Sequence, residues 1–267
     1  MTTLGTDRAG LAVVTGASTG IGRAFAHLLA DEGYDLVLAA DEPAIHTVAQ
    51  ELQAAGRSVV ALEVDLATRE GVEQLHEAVA VHPSPVRVGI LNAGIGVHGR
   101  LDEAPLDDQL RLVDLNVRST VHLCVLLARD MVAQQEGRLL LVSSIAAAGP
   151  GPGHAAYAAS KAFVHSYAEA ARHELADTGV TVTSLMPGPT DTDFFDRADM
   201  EDTRIGQGPK DSPEEVARDG WEALVAGRDH VVAGSRLNNV AAAGAHLTPD
   251  PIAAKLAARQ TEEVTGT

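Results

Sequence analysis

The sequence predicts an α/β fold: a doubly wound parallel sheet of about seven strands with helices on both faces, in a single domain. Three observations lead there. Short runs rich in Val, Leu and Ala alternate with longer stretches of helical period, the order that βαβ units produce. Apolar residues make up 45% of the 267-residue chain and aromatic residues only 3%, so the core has to be built from Ala, Val and Leu, which suits helices laid on a two-sided sheet. The first apolar run also ends in a glycine-rich turn that opens a helix.

Taken in order, Leu11 to Val14 is a strand, Thr15 to Gly22 the turn, and Arg23 to Glu32 a helix. Asp35 to Ala39 is a second buried strand, Ala44 to Ala55 a helix and Ser58 to Val64 a third strand. Thr68 to Val81 reads as helix and Val86 to Leu91 as strand, separated by the break His82-Pro83-Ser84-Pro85. A long helix is expected over Asp107 to Gln135, then a strand at Arg138 to Val142 and a loop at Gly149 to Gly153. The next helix carries Tyr157 and Lys161 and runs to about Ala176, followed by a sixth strand at Val180 to Leu185. Met186 to Asp211 sustains no period and reads as a mobile lid-like segment with room for a short helix. Ser212-Pro213-Glu214-Glu215 supplies an N-cap, a proline at the first helical position and a capping-box glutamate. A helix to about Ala226 and a strand at His230 to Ala233 close the sheet, and from Pro249 the tail reads as one polar-faced, fraying helix. No internal repeat or clean linker divides the chain, so residues 1–267 form one domain with its core at about 9–235.

A net charge of −17 repels nucleic acid and anionic membranes and leaves a small molecule as the expected partner. The single cysteine, Cys124, excludes an internal disulfide and reads as core filler. The N-terminus lacks the pattern of a signal peptide, and no apolar run reaches the ~20 residues of a membrane span, so a soluble cytoplasmic protein is expected. Eleven histidines form no H-E-x-x-H or comparable cluster, so no metal site is expected.

Two motifs carry chemistry. Gly16, Gly20 and Gly22 follow a strand and precede a helix, which permits a tight turn and close approach of a pyrophosphate to backbone N–H groups. Tyr157 and Lys161 stand four residues apart on one helical face, where an ammonium can favour a phenolate. Read alone, such a pair is more often a packed tyrosine beside a solvated lysine.

Thr15 to Gly22, Asn92-Ala93-Gly94, Asn116, Ser144, Tyr157, Lys161 and Pro187-Gly188 together resemble the short-chain dehydrogenase/reductase family over about residues 9 to 235, in its single-domain oxidoreductase branch with a Rossmann-like fold. The resemblance implies hydride transfer between a nicotinamide cofactor and a secondary alcohol or ketone. Tyr157 would be the general acid/base, Lys161 would lower its pKa and hold the nicotinamide ribose, and Ser144, thirteen residues before Tyr157, would orient the substrate oxygen. Ser143 is its rival on sequence grounds. Asn116 matches the position that supports a water-linked proton relay. Cofactor contacts are implied for Gly16, Ser18, Thr19, Gly20, Ile21 and Gly22, for Asn92, Ala93 and Gly94, and for Pro187, Gly188, Thr190 and Thr192. Leu91 replaces the family's usual first asparagine. Asp65, with Leu66, fits the adenine position, and Asp65 fits a helix N-cap region equally well.

Cofactor choice rests on the end of the second strand, Ala39-Ala40-Asp41-Glu42, which offers carboxylates and no base. NAD is therefore expected over NADP, with Asp41 facing the ribose, although the family's discriminating aspartate aligns with Ala40. His154 reads as a helix start with substrate contact as the alternative; His98 and Phe194 are further substrate candidates, Phe194-Phe195 reading equally as lid packing. An NADP-dependent carbonyl reductase, such as a 3-ketoacyl reductase, and a non-catalytic dinucleotide-binding regulator are the alternative functions. The resemblance also implies a homodimer or homotetramer, formed through the long helix and the helix after Tyr157.

Overall fold

The computed structural model describes residues 10–235, 238, 244 and 248–262. Its strands are β1 (Leu11–Thr15), β2 (Asp35–Ala40), β3 (Val59–Glu63), β4 (Val86–Leu91), β5 (Gly137–Val142), β6 (Val180–Pro187) and β7 (His230–Ala233). They pair in parallel in the order β3-β2-β1-β4-β5-β6-β7. In chain order the helices are α1 (Gly20–Asp31), α2 (Ala44–Ala54), α3 (Arg69–Ala80), α4 (Leu106–Val113), α5 (Thr120–Gln134), α6 (Ala155–Glu174), α7 (Phe194–Arg197), α8 (Arg204–Gln207), α9 (Pro213–Val225) and α10 (Asp250–Thr261).

Successive strand side chains point to opposite faces, and both faces of the inner strands are covered, so β1 and β2 are mostly apolar rather than alternating, while β6 begins Val-Thr-Val-Thr. Ala12, Val14, Leu36, Leu38, Leu140 and Val142 join a core with residues of α1, α2 and α9. Leu11, Val13, Val37, Ala39, Leu139 and Leu141 join a second core with α3, α5 and α6. Cys124 lies in this second core. None of the model's helices, among the described residues, is long and apolar enough to cross a membrane.

The strand order reverses between β1 and β4, so the chain leaves these two neighbours in opposite directions and opens a crevice beyond their carboxyl ends. Every motif singled out in the sequence lies at or near that edge.

Two elements differ from expectation. The helix expected over Asp107 to Gln135 is wound as a π-helix over Asp114–Ser119, between α4 and α5. The Asn116 carbonyl accepts the Thr120 hydroxyl at 2.9 Å, and such a side-chain bond loosens the helical ladder. The segment after β6 holds two short helices, α7 and α8, and a bridge between Thr190 and Asp211. Phe195, Ala198 and Met200 bury one another there in a small cluster of their own, with Phe194 and Ile205 against it.

Candidate active site

The crevice is a cavity of about 650 Å³. Its first wall is the turn from β1 into α1. A Cβ at Gly22 would lie 2.0 Å from the Gly16 carbonyl oxygen, and Gly20 has φ 53°, so neither position accepts a side chain without rebuilding the turn. Thr19, the N-cap of α1, gives no side-chain cap bond, whereas the N-cap hydroxyls of α3, α8 and α9 each accept a backbone N–H. The first N–H groups of α1 are thus left to a ligand, and they face the cavity lined by Ser18, Thr19, Gly20 and Ile21. Gly22 stands behind that wall. This is the cradle a dinucleotide pyrophosphate requires, so the residues fit such a cofactor.

Asn92 holds the turn in place. Its side-chain amide donates to the carbonyls of Thr15 (3.0 Å) and Gly16 (3.2 Å), while the Asn92 and Ala93 N–H groups donate to Thr15 Oγ1. Ala93 and Gly94 continue the wall. A Cβ at Gly94 would lie 3.0 Å from Asn116 Oδ1 and 3.2 Å from Lys161 Nζ. Leu66, Pro187, Gly188, Thr190 and Thr192 also line the cavity.

Asn116 is 1% exposed and lies off the cavity. Its Oδ1 accepts from Ile95 N–H at 2.9 Å, and its Nδ2 donates to the Ile95 carbonyl (3.0 Å) and to Ser160 Oγ (3.1 Å). The π-helical winding therefore supports a side chain that ties β4's exit loop to α6.

Ser144, Tyr157 and Lys161 line the cavity together. Ser143, the rival serine, lines the cavity as well, but it is buried and its hydroxyl donates to the Lys161 carbonyl at 2.7 Å. Lys161 Nζ donates to the Val142 carbonyl at 2.9 Å and stands 5.8 Å from the centre of the Tyr157 ring. Burial drives the ammonium down to about 8. The same burial pushes the Tyr157 phenol up to about 12, only partly offset by its hydrogen bond with Ser144. Desolvation is the largest cause of both shifts, and the group that lowers the phenol is Ser144. Phe194 packs against Tyr157, ring centres 5.1 Å apart, and the His154 ring centre lies 6.1 Å from it. His154 is the N-cap of α6 but makes no side-chain cap bond, and burial, with His98 nearby, holds its imidazole below the ordinary range. His98 does not line the cavity.

At the far end, the sequence reading missed two arginines. Arg111 of α4 donates to Asp65 (2.9 Å) and Asp41 (3.2 Å). Arg197 of α7 pairs with Glu42 at 3.1 Å, and Glu42 accepts the Ser18 hydroxyl at 2.5 Å. Hydrogen bonds from Arg111 to Asp65 and from Ser18 to Glu42 hold both carboxyls below their usual range. The strand end that offers no base in sequence has two guanidiniums beside it in space. Asp65 also accepts the Ala67 N–H, a local turn role, while Thr68 is the actual N-cap of α3.

The model of the family described as short chain dehydrogenase matches residues 10–202. The chain belongs to this family. A 3-oxoacyl-[acyl-carrier-protein] reductase of Synechocystis is 35% identical over 217 residues, 78% of this chain and 85% of the relative. A short-chain dehydrogenase from Sphingobium yanoikuyae, solved in complex with NADPH, superposes with a TM-score of 0.78 at 25% identity, covering 84% of this chain and 87% of that one. An alcohol dehydrogenase from the archaeon Thermococcus sibiricus, complexed with 5-hydroxy-NADP, gives 0.72 at 25% identity over 84% of this chain and 95% of that one. This short-chain dehydrogenase is an oxidoreductase with a nicotinamide dinucleotide cofactor, the group for which the uncapped α1 and its glycine turn are shaped.

Proposed function

We propose that the chain interconverts a secondary alcohol and a ketone, with Tyr157 as acid/base and NAD(H) preferred. The observation that carries this reading is the meeting of Ser144, Tyr157 and Lys161 in one wall of the cavity whose other end is the open N-terminus of α1. When bound, the nicotinamide exchanges a hydride with the substrate carbon. Tyr157 gives its phenolic proton to the ketone oxygen, or takes it back from the alcohol, so charge and atoms balance in both directions. Ser144 donates to the same oxygen and holds it near the phenol. Lys161 holds the nicotinamide ribose, and in that setting it supplies the positive charge that eases phenol ionisation. Asn116, through its main chain and a water, links the lysine to solvent. The segment 187–211 admits substrate over Phe194.

NAD is favoured by Asp41 and Glu42, since two carboxylates in the cavity wall after β2 would repel a 2′-phosphate. A second reading, NADP, is favoured by Arg111 and Arg197, which bring guanidiniums to those carboxylates. Tyr157→Phe tests the chemistry. Turnover should fall by about 10² or more while titration of NADH fluorescence shows the cofactor still bound. Full turnover by the variant would overturn the proposed role.

A further inference from the structure

Helix α10 lies along one wall of the cavity. Thr261 Oγ1 donates to the Pro152 carbonyl at 3.0 Å, in the loop that leads into α6. The Arg204 N–H donates to the Glu262 carbonyl at 3.2 Å, at the start of α8. The C-terminal end of the helix is thus fastened to the loop before α6 and to α8.

The face it turns inward is regular. Ala253, Leu256, Ala257 and Gln260, spaced i, i+3, i+4 and i+7, line the cavity. Leu256 is 53% exposed, an apolar side chain in the same cavity as Tyr157. Ile145 and Phe194 line that cavity as well. Charge is distributed unevenly. Among the described residues, the charged side chains of the cavity wall are Asp41, Glu42 and Asp65, the Asp193–Arg197 pair joined to Glu42, and Lys161. All but Lys161 lie at the end of β2 or in the ion pairs linked to it, and Lys161 donates to the Val142 carbonyl. Among the described residues, the rest of the wall offers hydrocarbon and neutral polar groups, with no further cation to meet a carboxylate or phosphate.

We propose, resting on the alcohol/ketone reading, that the substrate is an uncharged ketone or secondary alcohol with a bulky hydrocarbon body, and that α10 is the wall that grips it. A flat or polycyclic body between Leu256 and Phe194 covers both apolar surfaces while its oxygen reaches Tyr157 and Ser144. A sugar acid, or a thioester on a phosphate-bearing arm, would bury its anion without a partner there and would meet a chain of net charge −17.

The test compares 2-decalone, butanone and 5-ketogluconate as substrates of the full chain with NADH and with NADPH, using the native chain, Leu256→Asp and Ala257→Phe. Decalone should exceed butanone in kcat/KM by about tenfold or more, and ketogluconate should be the poorest. Both substitutions should lower the decalone-to-butanone ratio by about tenfold, Leu256→Asp by adding an unpaired charge and Ala257→Phe by filling the space. Preference for ketogluconate or butanone, or a ratio unmoved by both substitutions, would overturn the proposal. If none of the ketones is reduced, the alcohol/ketone reading fails. Calorimetric titration of 2-decalol and gluconate into the NADH-saturated chain then decides the pocket separately: decalol binding weakened by Leu256→Asp supports the apolar wall, and absence of decalol binding refutes it.

Discussion

Burial holds Lys161 at about 8 and raises Tyr157 to about 12, and the lysine makes stability depend on pH. An unfolded lysine titrates near ~10.4. Between about 8 and about 10 the unfolded chain binds the extra proton, so stability rises with pH across that window; below it both states are charged and the full burial penalty acts. Lys161→Met should therefore melt a few degrees above the native chain at pH 7, at roughly 2–4 °C per kcal/mol, although it gives up the bond to Val142. The gain should vanish near pH ~10, which scanning calorimetry of the ligand-free protein at the two pH values would reveal. That Ser144, Tyr157 and Lys161 share one wall was legible in the sequence because it depends on spacing along neighbouring elements. Arg111 was not: its partner Asp41 lies seventy residues away, and only the closing of the sheet brings them together.

At the scale of elements, the strands could be read because full burial on both faces leaves unbroken apolar runs between turn residues. The π-helical winding at Asp114–Ser119 could not, since its cause is a tertiary demand on Asn116 rather than any local preference. Helix α10 follows Pro249 as the sequence reads it, but its cavity-lining face could not be seen there: alanines at 253 and 257 carry little apolar signal, and what they face is an open cavity instead of a core. The ion pair between Arg197 in α7 and Glu42 after β2 joins the segment that follows β6 to the loop that follows β2. Replacing Glu42 with Gln removes one carboxylate and releases the guanidinium toward a 2′-phosphate. NADP⁺ affinity relative to NAD⁺ should rise by about tenfold in Glu42→Gln, measured by direct titration of both dinucleotides. In the native chain NAD⁺ should bind the tighter of the two, and the reverse order would sink the NAD preference.

For the whole molecule, Leu106, Leu110 and Val113 form an exposed apolar stripe along α4, at 70%, 53% and 44% exposure. Phe163 of α6, 41% exposed, stacks on Tyr167 with ring centres 5.8 Å apart. We propose these helix faces as the self-association surface. Sedimentation velocity should find a dimer or tetramer, stabilised by salt because each copy carries −17, and Leu110→Asp with Phe163→Asp should shift it to a smaller species. A monomer at all salt concentrations would remove the proposal. Cys124, on α5 within the second core, is 2% exposed, and burial raises its thiol to about 11. Being the chain's only cysteine, it is a native clock for opening: a thiol-reactive dye can mark the chain only when that core comes apart. Its labelling rate should slow as dinucleotide fills the cleft, so cofactor affinity can be read without turnover, without a substrate and without altering a single residue.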